Sequence, residues 1–187
     1  MYTYIYMVSH GHSEYSPYEV NTELSQDCIY SIKQVTERLM RENIDVIISS
    51  PYKRAFQTVR GLAKQLNIPV EINGGFKERA LGLKPVEDFN DAIRMLWNNE
   101  NTNFEGWESN SFVQKRCVDA LENTINLYEG KKIVVGTHDN IMALTLNYYD
   151  KKYDYDFLKK LSKPYIYKIT FHKNKFYNAK KISLSTF

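Results

Sequence analysis

Short, unbroken apolar runs, each followed by a polar turn and then by a helical pattern, recur along most of this chain. Residues 5–8, 46–48 and 133–136 are runs of this kind, rich in β-branched and aromatic side chains, and they predict strands at residues 3–8, 45–48 and 132–137. Continuous apolar runs are typical of parallel strands that are buried on both faces. A shorter strand is predicted at residues 70–72. Strands that alternate with helices predict a three-layer α/β/α sandwich with a mostly parallel central sheet.

Helical periodicity is present between and after these strands. The predicted helices begin after Ser25, at the pair Ser50 and Pro51, near Ser109 and after Asp139, because such residues are favoured at N-caps and first helical positions. On the first helix, one face is predicted to carry four apolar residues, namely Ile29, Ile32, Val35 and Leu39.

The C-terminal part of the chain has a different pattern. Residues 165–171 alternate between apolar and polar side chains, residues 172–175 have turn composition, and residues 176–182 continue in an extended pattern. Two such runs around a short turn predict a β-hairpin. We expect this hairpin at the edge of the sheet.

The stretch between the third strand and the long later helix is only weakly periodic, apart from a short helix near residues 92–97. A long irregular segment inside a compact domain is often a lid or a substrate-binding insertion. We therefore expect a single domain over residues 1–187, with a lid or insertion at about residues 73–108.

Composition argues against several classes of function. The chain has 187 residues, of which 43% are apolar and 25% charged, and its formal net charge is only +3. These values are typical of one globular domain, and the scattered lysines do not form a nucleic-acid surface. No stretch is long enough to span a membrane, and the N-terminus resembles a strand rather than a signal peptide. A cytoplasmic protein without nucleic-acid or membrane partners is expected, and the oligomeric state is left open.

The two cysteines, Cys28 and Cys117, both fall within helical patterns and lack the spacing of metal ligands. We expect them to be buried free thiols in a reducing compartment, with a disulfide as the alternative. The sequence implies no metal and no cofactor.

Three predicted strand ends carry side chains suited to binding a phosphate. His10 follows the first strand closely, Arg54 lies one turn into the helix after the second, and His138 directly follows the strand at residues 132–137. The carboxyl ends of parallel strands open onto one crevice, so these groups are predicted to meet there.

Each of the three groups also has an ordinary explanation as a loop, surface or capping residue, but one shared site explains all of them together. A neutral imidazole attacks phosphorus with one nitrogen while the other donates its proton to a carbonyl. A guanidinium near a helix start can clamp a phosphate with two parallel hydrogen bonds. These residue types therefore predict phosphoryl chemistry.

Four segments, in order along the chain, resemble the motifs of the histidine phosphatase superfamily, also called the phosphoglycerate mutase-like family. The family pattern is Arg-His-Gly-x-Ser/Thr, then Ser-x-x-x-Arg-Ala-x-x-Thr, then Glu-Arg-x-x-Gly, and a late His-Gly pair. The corresponding segments here are residues 9–13 (SHGHS), 50–58 (SPYKRAFQT), 78–82 (ERALG) and 137–139 (THD). The second motif is nearly complete and is the most specific of the four.

The resemblance implies a catalytic role for three residues. His10 would be the nucleophile that accepts the phosphoryl group, Glu78 would protonate the departing oxygen, and His138 would contact the transferring group. A carboxyl near other anions has a raised pKa, which suits a proton donor. The implied phosphate-binding residues are Arg54, Ser9, Gly11 and His12.

Two positions depart from the family pattern. Ser9 stands where the family has arginine, and Asp139 stands where it usually has glycine. The missing arginine removes a charge-assisted clamp of about 1.5–3 kcal/mol per hydrogen bond, and Asp139 adds a negative charge close to a phosphate. The candidates for a compensating group are His12, Lys53, Lys77 and Arg79.

Three functions follow from these observations. The first is a phosphomonoesterase that works through a phosphohistidine, with a small phosphorylated substrate or inorganic phosphate as its partner. The second is a phosphoglycerate mutase-type phosphotransferase, and the third is a catalytically impaired phospho-ligand-binding or regulatory protein. The modest insertion favours hydrolysis over mutase activity, and the four retained groups favour an enzyme over a binding protein.

Overall fold

The computed structural model describes residues 1–13, 19–82 and 88–184. Its strands form one six-stranded sheet with the spatial order β3-β2-β4-β1-β5-β6. The pairs β1–β4, β2–β4 and β2–β3 are parallel, whereas β5 runs antiparallel to both β1 and β6. The strands are β1 (Tyr2–Ser9), β2 (Val46–Ser49), β3 (Val70–Ile72), β4 (Lys132–Thr137), β5 (Ile166–His172) and β6 (Lys175–Ile182).

The part of the chain described here contains six α-helices. They are α1 (Ile29–Leu39), α2 (Lys53–Leu66), α3 (Phe89–Asn98), α4 (Asn110–Leu127), α5 (Asp139–Tyr149) and α6 (Tyr155–Lys159). A 3₁₀ turn at Gln26–Cys28 precedes α1, and another lies at Gly74–Phe76. None of the helices in these residues has the length and apolar character needed to cross a bilayer.

Alternate side chains of the central strands face two separate layers of helices. In β1, Ile5 and Met7 pack into a core with residues of α4 and α5. Tyr6 and Val8, on the opposite face of the same strand, pack with residues of α1 and α2. Side chains alternate between the two faces of a strand, so a strand buried on both faces is apolar throughout. The predicted three-layer sandwich, mostly parallel sheet and C-terminal edge hairpin are confirmed.

The strand order brings three loops to one edge of the sheet. β2, β4 and β1 are neighbours, and the last residue of β1, Ser9, pairs with Thr137 at the end of β4. Ser49, at the end of β2, pairs with Gly136. Because β5 is antiparallel to β1, its first residues lie at this same edge, where the Ser9 amide donates to the carbonyl of Tyr165 at 3.0 Å.

The predicted start of α2 at Ser50 and Pro51 is wrong. The helix begins at Lys53, and Tyr52 occupies the N-cap position without a capping side-chain hydrogen bond. The Ser50 hydroxyl instead accepts from the Tyr52 amide at 3.2 Å and bonds to His138. A tertiary partner has therefore overridden the local preference of serine for a helix N-terminus.

Two further helix starts differ from the sequence-based expectation. Asp139 is the first residue of α5 and not its cap, because His138 holds the N-cap position. Ser25 precedes the 3₁₀ turn and makes no capping side-chain hydrogen bond. By contrast, the predicted capping role of Ser109 is confirmed, since its hydroxyl accepts from the Phe112 amide at 3.2 Å.

On α1, Val35 and Leu39 are buried as predicted, but Ile29 is 64% exposed. Ile29 precedes Val35 by six residues, which at 3.6 residues per turn places it about a third of a turn away from the buried face. The prediction that Ile29 shares that face is wrong. The cysteines agree with expectation, because Cys28 and Cys117 are buried free thiols.

The segment at residues 73–108 contains the 3₁₀ turn and α3, and residues 83–87 within it lie outside the described part of the chain. The short helix predicted near residues 92–97 is confirmed as α3. The role of this segment as a lid stays a prediction.

Candidate active site

The edge of the sheet described above brings together His10, Arg54 and His138. The ring centres of the two histidines lie 5.2 Å apart, with their planes inclined by 66°. Nε of Arg54 donates to Nε2 of His10 at 3.2 Å. All three side chains are buried. The structure thus joins groups that are separated in sequence by up to 128 residues.

The imidazole of His10 is held by the backbone of its own loop. Nδ1 lies 2.6 Å from the Gly11 carbonyl oxygen, which requires the proton to be on Nδ1 and leaves the lone pair on Nε2. Burial, followed by the positive charges of Lys163 and Arg54, lowers the pKa of His10 to about 3. The ring is therefore neutral at physiological pH, as a nucleophile requires.

Gly11 is needed because the loop packs tightly against the start of α1. A Cβ at this position would lie 2.9 Å from Sγ of Cys28 and 3.0 Å from Cδ1 of Ile32. The neighbouring His12 is exposed, and its carbonyl accepts from the Ser25 amide at 2.9 Å. A phosphate contact by the side chain of His12 stays a prediction.

His138 has one satisfied and one unsatisfied ring nitrogen. Its Nε2 lies 2.8 Å from the Ser50 hydroxyl oxygen, which already accepts from the Tyr52 amide. When the hydroxyl proton of Ser50 is directed to Nε2, the proton of a neutral His138 lies on Nδ1. That nitrogen is buried and has no hydrogen-bond partner among the described residues. A buried donor without a partner is costly, and a ligand oxygen would satisfy it.

Burial, together with the charges of His10 and Arg54, lowers the pKa of His138 well below its usual value. The guanidinium of Arg54 lies 4.9 Å from the ring centre of Tyr52, and that ring lies 5.2 Å from His138. Arg54 is thus positioned by an aromatic face as well as by His10. The cluster combines neutral imidazoles with a fixed cation, a combination suited to an anion.

Glu78 lies on the loop that follows the 3₁₀ turn, and its Oε1 accepts from the Arg79 amide at 2.8 Å. Burial, and then the negative charge of Asp139, raises the pKa of Glu78, while the backbone hydrogen bond and Arg54 oppose the rise. A carboxyl with a raised pKa keeps its proton to higher pH, which is the property required of a general acid.

A largely buried ion pair fixes the loop around Glu78. Nη2 of Arg116 donates to Oε2 of Glu108 at 2.9 Å, and that carboxylate oxygen also accepts from the Ala80 amide at 2.8 Å. Nη1 of the same arginine donates to two loop carbonyl oxygens, at 2.8 Å and 3.0 Å, those of Gly75 and Lys77. The loop is therefore tied to α4 on both sides of Glu78.

Three of the four candidates for a compensating cation have other partners. Lys53 forms an ion pair with Glu23, and Lys77 lies 4.0 Å from the Glu108 carboxylate. Arg79, which is 1% exposed, donates to the Glu108 carbonyl and to the Asn110 side chain. These contacts tie each cation to a neighbouring segment, and those of Lys77 and Arg79 support the loop of Glu78.

Sequence analysis missed Lys163, whose Nζ lies 3.3 Å from Nε2 of His10. The two residues are 153 positions apart, and Lys163 precedes an antiparallel strand that carries no recognisable motif. The predicted hairpin was the one available signal, because an antiparallel strand beside β1 begins where β1 ends.

Asp139 connects Lys163 with Ser9 and Tyr165. Its Oδ1 accepts from the Ser9 hydroxyl at 2.5 Å and from the Tyr165 hydroxyl at 2.9 Å. Its Oδ2 lies 3.1 Å from Nζ of Lys163. The hydroxyl of Ser9 therefore has an intramolecular partner, and its role in phosphate binding stays a prediction. No cluster of three or more potential metal ligands occurs among the described residues.

The chain belongs to the histidine phosphatase superfamily (branch 1), whose family profile matches residues 5–180. It is 30% identical over 146 residues to phosphoserine phosphatase 1 of Hydrogenobacter thermophilus, an alignment covering 71% of this chain and 69% of that protein. It is 26% identical over 157 residues to phosphoglycerate mutase-like protein 4 of Arabidopsis thaliana, covering 75% and 68% of the two chains.

Among solved structures, the fold is similar to that of mycobacterial hydrolase 1, with a TM-score of 0.77, 16% sequence identity and 98% of each chain covered. This likeness supports the architecture described above. The resemblance stated from the motifs is confirmed, and so is the prediction of a phosphatase of this superfamily.

Replacement of Arg116 by methionine tests the importance of the ion pair that holds the Glu78 loop. Arg116 and Glu108 have side chains only 15% and 13% exposed, and removal of one partner of a buried pair costs about 3–5 kcal/mol. We expect Arg116→Met to lower the free energy of unfolding by about this amount in urea denaturation. The neighbouring Lys115, whose side chain is 76% exposed, is the control, and Lys115→Met should leave stability unchanged. Equal effects of the two substitutions would contradict the account.

Proposed function

We propose that the protein hydrolyses phosphomonoesters of small metabolites through a covalent phosphohistidine at His10. One observation carries the proposal: Nε2 of a buried, neutral His10 receives hydrogen bonds from Arg54 and Lys163. A phosphoryl group that reaches this nitrogen meets a nucleophile surrounded by positive charge. The phosphoserine phosphatase among the relatives supports a small phosphorylated metabolite as substrate.

In the first step, Arg54 and the unpartnered Nδ1–H of His138 bind oxygens of the phosphate. Nε2 of His10 attacks phosphorus, so that a P–N bond forms and the P–O ester bond breaks with its electron pair going to the departing oxygen. The Glu78 carboxyl transfers its proton to that oxygen, and the product alcohol leaves. The bond from Nδ1 of His10 to the Gly11 carbonyl stabilises the positive charge that the ring acquires.

In the second step, water attacks phosphorus on the side from which the alcohol departed. The Glu78 carboxylate accepts a proton from this water, the P–N bond breaks, and its electron pair returns to Nε2 of His10. Inorganic phosphate leaves and the resting protonation states are restored. The same carboxyl therefore serves as acid and then as base, as microscopic reversibility requires.

The mutase-type alternative is supported by the Arabidopsis relative that carries the name phosphoglycerate mutase-like. In that reaction the phosphohistidine would return its phosphoryl group to a second hydroxyl of the same substrate. We favour hydrolysis because the relative at 30% identity is named a phosphatase and because the segment at residues 73–108 is modest in length.

We further propose that residues 73–108 form a lid or insertion that covers the leaving group. Phe104 and Trp107 lie with ring centres 5.4 Å apart, and Phe89 lies 5.7 Å from Trp107, so that the segment has an aromatic cluster of its own. We also propose a cytoplasmic location, which is supported by the free thiols of Cys28 and Cys117.

Removal of the nucleophile gives the first test. We expect His10→Ala to lower the turnover of 4-nitrophenyl phosphate by at least about 10⁴-fold, because an alanine can form no covalent intermediate. His172→Ala is the matched control, since this ring packs against Tyr2 with centres 4.6 Å apart and belongs to β5. It should retain wild-type turnover in the same continuous assay. Comparable turnover in His10→Ala would refute the mechanism.

The role of Glu78 is tested by the dependence of rate on the leaving group. An alkoxide needs a proton in order to depart, whereas a nitrophenolate does not. We expect Glu78→Gln to lower kcat/KM for alkyl phosphates by about 10²–10⁴-fold, but for 4-nitrophenyl phosphate by less than about tenfold. The measurement is kcat/KM across aryl and alkyl esters, with the exposed Glu100→Gln as control. A uniform loss over the series would show that Glu78 is not the proton donor.

A further inference from the structure

We propose that Lys163 is a phosphate-binding residue of this site and that it supplies the positive charge that Ser9 does not. The inference rests on the proposed function, and it concerns a residue that lies in none of the four motif segments.

The ammonium group of Lys163 lies at the reacting atom. Nζ is 3.3 Å from Nε2 of His10 and 3.1 Å from Oδ2 of Asp139, and the side chain is 27% exposed. Nε2 is the atom that the mechanism joins to phosphorus. A cation at this distance from the attacking nitrogen is also within hydrogen-bonding reach of the oxygens of the phosphoryl group.

A phosphate monoester carries up to two negative charges, and the other nearby arginines are engaged elsewhere. Arg79 donates to the Glu108 carbonyl and to Asn110. Arg116 donates to the Glu108 carboxylate and to loop carbonyls. Both therefore hold the Glu78 loop in place, and Lys163 is the second cation, after Arg54, that bonds to Nε2 of His10.

Asp139 fixes the position of this ammonium group. Its carboxylate accepts from Ser9 and Tyr165 through Oδ1 and pairs with Lys163 through Oδ2. Three donors thus balance a negative charge that would otherwise repel a phosphate. Ser9 carries no positive charge of its own, but its hydrogen bond to Asp139 helps to hold the cation that does.

The number of donors allows Lys163 to bind phosphate without leaving Asp139. An ammonium group has three N–H donors, of which one is directed to Asp139 and one to Nε2 of His10. The donor directed to His10 loses this partner when the lone pair of Nε2 forms the bond to phosphorus. Two donors are then available for phosphoryl oxygens, and charge-assisted hydrogen bonds of this kind are among the strong ones.

Binding of inorganic orthophosphate, measured by isothermal titration calorimetry, tests this assignment without requiring turnover. We expect Lys163→Met to raise the Kd for phosphate at least about tenfold and to lower kcat/KM for 4-nitrophenyl phosphate at least about 30-fold. Lys160→Met removes the same charge from an exposed position of the neighbouring segment. It should change neither value by more than about twofold.

A second variant separates a phosphate contact from mere neutralisation of Asp139. If Lys163 only cancels the carboxylate charge, the double variant Lys163→Met with Asp139→Asn should bind phosphate within about twofold of wild type. We expect the double variant instead to bind at least about tenfold more weakly. Lys163→Arg, which keeps the charge, should bind within about fivefold of wild type.

The outcomes distinguish this inference from the proposed function. Wild-type hydrolysis with an unchanged phosphate Kd in Lys163→Met would overturn the Lys163 assignment alone, as would recovery of binding in the double variant. Phosphate binding that depends on Lys163, in a wild-type protein that hydrolyses no phosphate ester, would support the assignment and count against the proposed function. A wild-type protein that binds no phosphate would overturn both.

Discussion

The hydrogen bond between Nδ1 of His10 and the carbonyl of Gly11 sets the tautomer of the imidazole at the centre of the site. It places the proton on the nitrogen that faces the backbone and the lone pair on the nitrogen that faces Arg54 and Lys163. The loop can adopt this arrangement because Gly11 has no Cβ to collide with Cys28. The close approach of this loop to α1 and the tautomer of His10 therefore both depend on the residue at position 11.

Electrostatics moves the pKa values of His10 and Glu78 in opposite directions. Burial and the nearby cations lower the pKa of His10 to about 3, so the imidazole is neutral. Burial and Asp139 raise the pKa of Glu78, so this carboxyl keeps its proton more readily. Pairs of groups whose environments separate their pKa values are typical of acid–base catalysis. Asp139 thus contributes to both halves of the site, through Glu78 and through its ion pair with Lys163.

The sequence predicted the parts of the molecule that depend on local patterns. The continuous apolar runs identified the parallel strands, and the order of strands and helices placed His10, Arg54 and His138 at one edge. The prediction failed where a side chain has a partner that is distant in sequence. Helix caps were assigned to Ser50 and Asp139, but the Ser50 hydroxyl bonds to His138 and the Asp139 carboxylate accepts from Ser9. Lys163 was missed because strand pairing, which no local pattern encodes, brings it to His10.

The central claim is that phosphate is transferred to His10, and trapping of the intermediate tests it most directly. The protein would be mixed with a phosphate ester, quenched at alkaline pH because phosphohistidine is labile in acid, digested, and examined by mass spectrometry. The account predicts a phosphoryl group on the peptide that contains His10, and none on the same peptide when His10 is replaced by alanine. Rapid turnover with an unmodified His10 peptide, or with the phosphoryl group on another residue, would contradict it.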